Sequence, residues 1–385
     1  MGKHVKTNGD EVPASFPPAF PSLSPPSLHH ILLESICVSV GSRVLKAGVG
    51  AIIMERGAAL LRVRARASGR DRAAESESSS SSLREERLRR HTGRSGYGGG
   101  RSAPLAGQYH SSDFDYEEHA LNAGRVLLEK ERGAGGHGWA STAEEVAERV
   151  VEQGDTWERF HRKVNSTARF FKEKRYILQE FPGLLDPTTR RVCEFGCGNG
   201  SSVVPVLKGN PAAHVTALDF SPSAVEHTRR AVEAEGFEPG RFAAMVRDLS
   251  SDPVDEADAM AGTFDAVLMV FMLSAVPPKH MDKVLRNALA LLKPGGRAYF
   301  RDYGRHDLTQ LRFPLDQRLG GGHWYQRKDG TLSYFFDLED LKSRFEGAGF
   351  ACGEADYVCV ELYNRKKDEE MRRVFCHGVF VRPED

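Results

Sequence analysis

With 385 residues the chain can hold one large or two ordinary domains, and its 40% hydrophobic content is globular on average. Its 53 Lys and Arg balance 53 Asp and Glu, which excludes a global electrostatic field, so a polyanionic partner must be met by local patches. The six cysteines form no paired C-x-x-C cluster, so no metal site and a reducing compartment are expected.

Residues 1–110 are rich in Ser, Gly, Pro and Arg, as in Pro25-Pro26, the run from Ser76 to Ser82 and Gly98-Gly99-Gly100. Such segments bury too little surface to offset chain entropy, which predicts a disordered or extraneous extension. The apolar stretch from Ile31 to Leu61 is interrupted by Glu34, Arg43, Lys46, Glu55 and Arg56. It therefore offers no charge-free window of about 18 to 20 residues, and no membrane span is expected. Met54 to Ser68 is rich in Arg and Ala, like an organelle transit peptide, although Glu55 and the later acids oppose that reading. A disordered tail, translated upstream sequence and a transit peptide all stay open. A cytoplasmic location therefore has a mitochondrial or chloroplast alternative.

Residues 111–185 read as an N-terminal helical region. Phe114, Tyr116, Leu121 and Val126 to Leu128 predict an arm or helix, and Ser141-Thr142-Ala143-Glu144 has the form of a capping box opening a helix to about Gln153. An amphipathic run from Thr156 to about Phe181 carries Trp157, Phe160, Val164, Phe170 and Phe171. It leads through Pro182-Gly183 into a third region, residues 186–385.

That region opens on Arg191 to Phe195, a short apolar run interrupted by Glu194, followed by Gly196-Cys197-Gly198-Asn199-Gly200 and a helical stretch from Ser201 to about Lys208. Strand, tight turn and helix start are the elements of a nucleotide-type binding loop, because glycine lets the backbone approach a ligand closely. A second strand from His214 to Leu218 delivers Asp219 where an acid can reach ribose hydroxyls. Ser221-Pro222 opens a helix to about Ala234. Strands follow from Arg241 to Val246, ending in Asp248-Leu249, and from Phe264 to Val270. A helix from Lys279 to Leu292 stops at Lys293-Pro294-Gly295-Gly296, and Arg297 to Phe300 starts a fifth strand. Beyond a long insertion, a helix is expected from Leu338 to Glu346 and a last strand from Val374 to Val381. Alternation of this kind predicts an α/β, doubly wound, mostly parallel sheet with helices on both faces and ligands at the C-terminal strand ends.

Glu194-Phe195-Gly196-Cys197-Gly198-Asn199-Gly200 fits the E/D-x-G-x-G-x-G pattern of class I methyltransferases, whose cofactor is S-adenosylmethionine (AdoMet), and the fold expected is their Rossmann-like, seven-stranded one. Further blocks narrow the resemblance. They are Phe170-Phe171-Lys172-Glu173-Lys174-Arg175-Tyr176, Asp219-Phe220-Ser221-Pro222, Arg301-Asp302-Tyr303-Gly304, and Trp324-Tyr325-Gln326-Arg327-Lys328-Asp329-Gly330-Thr331. Together they make residues 157–385 resemble the eukaryotic tRNA 3-methylcytidine methyltransferases.

The resemblance implies methyl transfer from AdoMet to N3 of a cytidine in the anticodon loop of certain tRNAs. A tRNA-binding adaptor or an aminoacyl-tRNA synthetase would be a possible partner. It places cofactor contacts on Trp157, Gly196, Asp219, Asp248, Leu249 and Val270, with Gly198 and Gly200 in the same loop. His161 stands where the family usually has Tyr, one helical turn after Trp157. Asp219 would serve the ribose and Asp248 the adenine amino group. Basic residues interleaved with aromatics, Lys172, Lys174, Arg175, Arg301, Arg305 and Arg327, suit phosphates and splayed bases.

Cytosine N3 already carries an in-plane lone pair, so its methylation needs no catalytic base. The enzyme's task is extrusion and alignment of the base. Asp302 is the candidate for holding the base edge or the cationic product, against a structural role in the Arg301-to-Arg305 turn. Phe271-Met272-Leu273-Ser274 lacks the Asn/Asp-Pro-Pro-aromatic box associated with exocyclic-amine methylation. A small-molecule methyltransferase and a noncatalytic scaffold for RNA or a partner remain the alternatives.

Overall fold

The computed structural model describes residues 111–133, 146 and 153–384, apart from 321 and 366. The expectations for residues 1–110, and nearly all of the helix after Ser141, lie outside the described residues.

Seven strands form the central sheet: β1 (Arg191–Phe195), β2 (His214–Asp219), β3 (Phe242–Val246), β4 (Phe264–Val270), β5 (Leu292–Tyr303), β9 (Ala351–Asn364) and β10 (Glu369–Val381). Their order is β3-β2-β1-β4-β5-β10-β9. The first five run parallel, while β10 is antiparallel to both β5 and β9. From β1 the chain winds outward to β2 and β3, then crosses back to β4 on the other side of β1. The reversal leaves a crevice at the C-terminal ends of β1 and β4, the place where doubly wound sheets bind ligands.

The strands read as apolar runs because both faces of the sheet are covered. Along β4, Val267 and Met269 join Met281, Leu285, Phe300, Phe345 and Phe380 in one core cluster. Their neighbours Ala266, Leu268 and Val270 join Ile177, Val206, Leu207, Val225 and Tyr299 in the other. Period-two alternation thus divides one strand between two cores. The first core is roofed by helices Pro278–Leu291 and Leu338–Gly347, the second by Ile177–Glu180, Val203–Gly209 and Pro222–Glu233.

Three expectations change. The run from Thr156 to Phe181 is not continuous: an α-helix over Gln153–Arg159 passes into a π-helical turn over Phe160–Val164, then turns, and only Ile177–Glu180 is helical again. The chain bends there because Asn165 Oδ1 accepts from the backbone N–H of Phe170 and gives that segment a non-helical partner. The strand β9 is absent from the sequence reading, since most of Ala351 to Tyr357 is exposed and shows no apolar alternation. Within the long insertion, β6 (Arg318–Leu319), β7 (Trp324–Gln326) and β8 (Leu332–Tyr334) form a separate three-stranded sheet of strands too short for periodicity to reveal. The arm before residue 134 is a helix, Tyr116–Gly133.

Candidate active site

The loop after β1 is shaped by its glycines. Gly196, Gly198 and Gly200 all have positive φ, at 68°, 58° and 78°. A Cβ on Gly196 would lie 2.4 Å from Met272 Cγ, so only glycine fits there. The backbone N–H groups of Gly196 and Cys197 both donate to the Leu218 carbonyl, at 2.8 and 3.1 Å, which clamps the loop to the end of β2.

At that end stands Asp219, buried. Its Oδ2 accepts from Gly198 N and its Oδ1 from Ser221 N, each at 3.0 Å. Burial pushes its carboxyl up to about 6, against the pull of those two N–H groups. Each carboxylate oxygen keeps a lone pair for a further donor, which is what two ribose hydroxyls require. Glu194, 1% exposed, closes the floor of the loop, and its Oε2 has no hydrogen-bond partner. A buried carboxylate oxygen without a donor is costly, so this orphan fits a site made for a cationic or N–H-bearing ligand. Burial raises the Glu194 carboxyl, offset in part by the Lys174 ammonium.

The walls come from the segment before the sheet. Trp157 packs edge-on against Phe160, with ring centroids 5.3 Å apart, and its buried Nε1 also lacks a partner. His161 is 4% exposed, and a Cβ placed on Gly198 would be 3.7 Å from its Cε1, so its ring lies against the glycine loop. Burial, with a smaller effect from His227, lowers its pKa to about 4 and keeps the imidazole neutral at neutral pH. Asn199 Nδ2 donates to the carbonyls of Ala168 and Phe171 at 2.8 and 2.9 Å. Lys174 N donates to Ser201 O at 2.7 Å, which completes a seam between the N-terminal segment and the loop.

At the third strand tip Asp248 is half-buried in a turn of its own, accepting from Ser250 N, Ser250 Oγ and Ser251 Oγ. Leu249, just past β3, and Val270, the last residue of β4, are both buried, the first in one core cluster and the second in the other. Asp219, Asp248 and Val270 thus stand at or just past the C-terminal ends of β2, β3 and β4, with Gly196, Gly198 and Gly200 in the loop after β1.

Across that crevice, Asp302 on β5 is fully buried. Its Oδ2 accepts from Ser274 N at 2.9 Å and its Oδ1 from Tyr303 N at 2.8 Å. Burial pushes it up to about 6, opposed by these donors and by the Arg327 guanidinium. Phe271, the residue just past β4, has φ 56°, rare for a bulky side chain. Its ring packs on Tyr303, with centroids 5.0 Å apart, and Arg327 lies over the other aromatic partner, 5.8 Å from the Tyr303 ring centroid. Strain of this kind concentrates at functional sites.

The expected RNA contacts separate into two groups. Lys172 and Arg175 are exposed and Arg327 is half-buried. Arg301 is instead 1% exposed, its Nη1 2.5 Å from Glu180 Oε2 and its guanidinium between the Tyr176 and Phe375 rings. Deep burial of a guanidinium needs such a partner, so its charge is spent inside the protein. Arg305 is drawn to Asp337, the cap of helix Leu338–Gly347, at 3.0 Å. Lys174 points inward to Ser201 Oγ at 2.6 Å, its pKa lowered by burial against the pull of Glu194 and Asp302. Residue type alone located the positive charges but not their partners.

Two functional candidates escaped the sequence reading. Glu194 was available as the acid of the glycine motif. Glu158 gave no signal, because its partners Ser221 and Ser223 lie 63 and 65 residues away.

Residues 165–355 match a family profile described as a methyltransferase domain. The tRNA N(3)-methylcytidine methyltransferase trm141 of Schizosaccharomyces pombe is 32% identical over 234 residues, covering 60% of this chain and 92% of that protein. The human tRNA N(3)-cytidine methyltransferase METTL6 is 34% identical over 237 residues, covering 60% of this chain and 81% of that one. A Dictyostelium discoideum protein named O-methyltransferase 3 is 37% identical over 195 residues, 50% of this chain, but the match spans only 44% of its own length.

Proposed function

The chain belongs to the tRNA N(3)-cytidine methyltransferases, and from that premise we propose that it transfers a methyl group from AdoMet to N3 of a cytidine in tRNA. The observation that carries the reading is the pair of buried carboxylates, Asp219 at the tip of β2 and Asp302 at the tip of β5, on opposite sides of the β1/β4 crevice. One serves the cofactor, the other the base.

Bound AdoMet supplies an electrophilic methyl on a sulfonium. Glu194 and Asp219 would hold its ammonium and ribose hydroxyls, and Trp157 with His161 would cover it. Asp302 would accept from the exocyclic N4–H group of cytosine. That contact favours cytosine over uracil, whose O4 would turn a lone pair towards the carboxylate. The same negative charge favours the cationic 3-methylcytidine product. Phe271 and Tyr303 offer aromatic faces for an extruded base, with Arg327 above them for the flanking phosphate. No group need remove a proton from N3, which agrees with the site's reliance on acceptors and apolar walls.

Of the six cations expected to hold RNA, Lys174 and Arg301 are engaged inside the protein, and the half-buried Arg305 is paired with Asp337. A tRNA-binding adaptor or an aminoacyl-tRNA synthetase would be a partner that adds affinity beyond what these few contacts supply.

The test is incubation of the full chain with unmodified tRNA and methyl-labelled AdoMet, followed by nucleoside mass spectrometry. Labelled 3-methylcytidine is expected. Cofactor binding without labelled nucleoside, even with cell extract supplying partners, would favour small-molecule methylation.

A further inference from the structure

We propose that Glu158 is a positioning residue that locks the Trp157-bearing helix onto the ribose loop, so that cofactor affinity depends on a carboxylate outside the cofactor's own contacts. The inference rests on the AdoMet reading of the site.

Glu158 follows Trp157 on helix Gln153–Arg159. Both of its oxygens are engaged away from that helix: Oε2 accepts from Ser221 Oγ at 2.6 Å and Ser223 N at 3.1 Å, and Oε1 accepts from Ser223 Oγ at 2.6 Å. Ser221 is the N-cap of helix Pro222–Glu233, its Oγ accepting from Ala224 N at 3.1 Å, while its own backbone N–H donates to Asp219 Oδ1. One continuous chain of contacts therefore runs from the helix of Trp157 through Glu158 and Ser221 to the ribose acid.

The arrangement suits a carboxylate better than any neutral group. Three donors converge on two oxygens, one of them a backbone N–H in the first turn of a 12-residue helix, where negative charge is favoured. Burial alone would raise the Glu158 carboxyl, but the serine hydroxyls, the Ser223 N–H and nearby Arg162 hold it below the usual carboxylate range. Among the described groups facing this region, Asp219 and His161 both feel its charge. On the other side of the same helix, a Cβ on Gly330 would lie 3.2 Å from Thr156 Cγ2, so the β7–β8 turn abuts the helix there. Glu158 supplies its polar anchor.

The experiment compares Glu158→Ala, Glu158→Gln, Trp157→Ala and the double variant Trp157→Ala/Glu158→Ala in the full chain, measuring S-adenosylhomocysteine binding by calorimetry and initial-rate kinetics on tRNA. Glu158→Ala is expected to raise the Kd and the KM for AdoMet about tenfold, with kcat at saturating AdoMet and the KM for tRNA within about twofold. Glu158→Gln, which keeps the shape and one acceptor oxygen, should recover part of the loss. In the Trp157→Ala background the Glu158→Ala effect should shrink to less than threefold, since one residue acts through the other. Additive losses, or an unchanged Kd in folded Glu158→Ala, would overturn the inference. Failure of the wild-type chain to bind S-adenosylhomocysteine would instead overturn the AdoMet reading on which it rests.

Discussion

Replacing Asp219 with Asn tests the ribose assignment directly. In the wild-type chain both carboxylate oxygens already accept a backbone N–H, from Gly198 and Ser221 at 3.0 Å. An asparagine must turn its NH2 towards one of those donors, losing that bond, and it offers a ribose hydroxyl only one acceptor oxygen. Hydrogen bonds to a charged group contribute about 1.5–3 kcal/mol each. The lost internal bond lowers stability, while the lost ribose bond should weaken S-adenosylhomocysteine binding roughly 10- to 100-fold, at 1.4 kcal/mol per tenfold. Titration adds an independent check, because burial has raised this carboxyl to about 6. Its sign differs between folding and binding. A raised acid favours the folded state when protonated, so its contribution to stability declines as pH rises from about 4 through 6. Ribose binding prefers the ionised acceptor, so affinity should instead fall as pH drops through about 6. Calorimetry at pH 7.5 and 5.5, with thermal unfolding as the folding control, gives both quantities. A folded Asp219→Asn protein whose Kd lies within threefold of wild type, with the same pH dependence, would refute the assignment.

Asp302→Asn should lower kcat at least tenfold while leaving the S-adenosylhomocysteine Kd within twofold. Wild-type kcat/KM for tRNA at saturating AdoMet should fall as pH drops through about 6, the value to which burial raises this acid. Equal losses in turnover and cofactor binding would move Asp302 out of the base pocket. Gly196→Ala places a Cβ 2.4 Å from Met272 Cγ at φ 68°. Backbone strain alone should destabilise the fold by about 1–2 kcal/mol, and displacement of Met272 should weaken cofactor binding further; wild-type unfolding and affinity would contradict the close approach. Phe345 stacks on Phe380 at 3.7 Å and is fully buried, so Phe345→Ala should cost about 3–5 kcal/mol in chemical denaturation. A loss below 1 kcal/mol would show that this core does not depend on the pair.

The glycine loop after β1 and the acid at the end of β2 were legible in the sequence because their parts are local. Glycine loop and following strand-end acid occupy one strand-loop-helix-strand unit, and each residue type answers to the backbone it sits on. Gly196 is required by Met272 and Asp219 by two N–H groups within a few residues of it or of the loop. The parallel sheet was legible for the same reason, since the strands from Phe264 to Val270 and their neighbours are buried on both faces.

The target half is assembled differently, and its residues say less by themselves. Arg301 and Arg327 are the same residue type in similarly aromatic surroundings, yet one lies against Glu180 and the other over Tyr303 beside the site. What separates them is position: Arg301 lies within a strand of the large sheet, flanked by β4 and β10, while Arg327 lies in the turn just past β7, the three-residue middle strand of the small sheet. A sequence lists charges, whereas recognition depends on which remain unspent after folding. Only the long-range pairs decide that, as they do for Glu158, whose neighbours in the chain give no hint of the serines it meets. On the proposed reading, discrimination of the substrate would reside in contacts of large sequence separation, where a few substitutions can re-aim a base pocket while the glycine loop and its acids stay fixed.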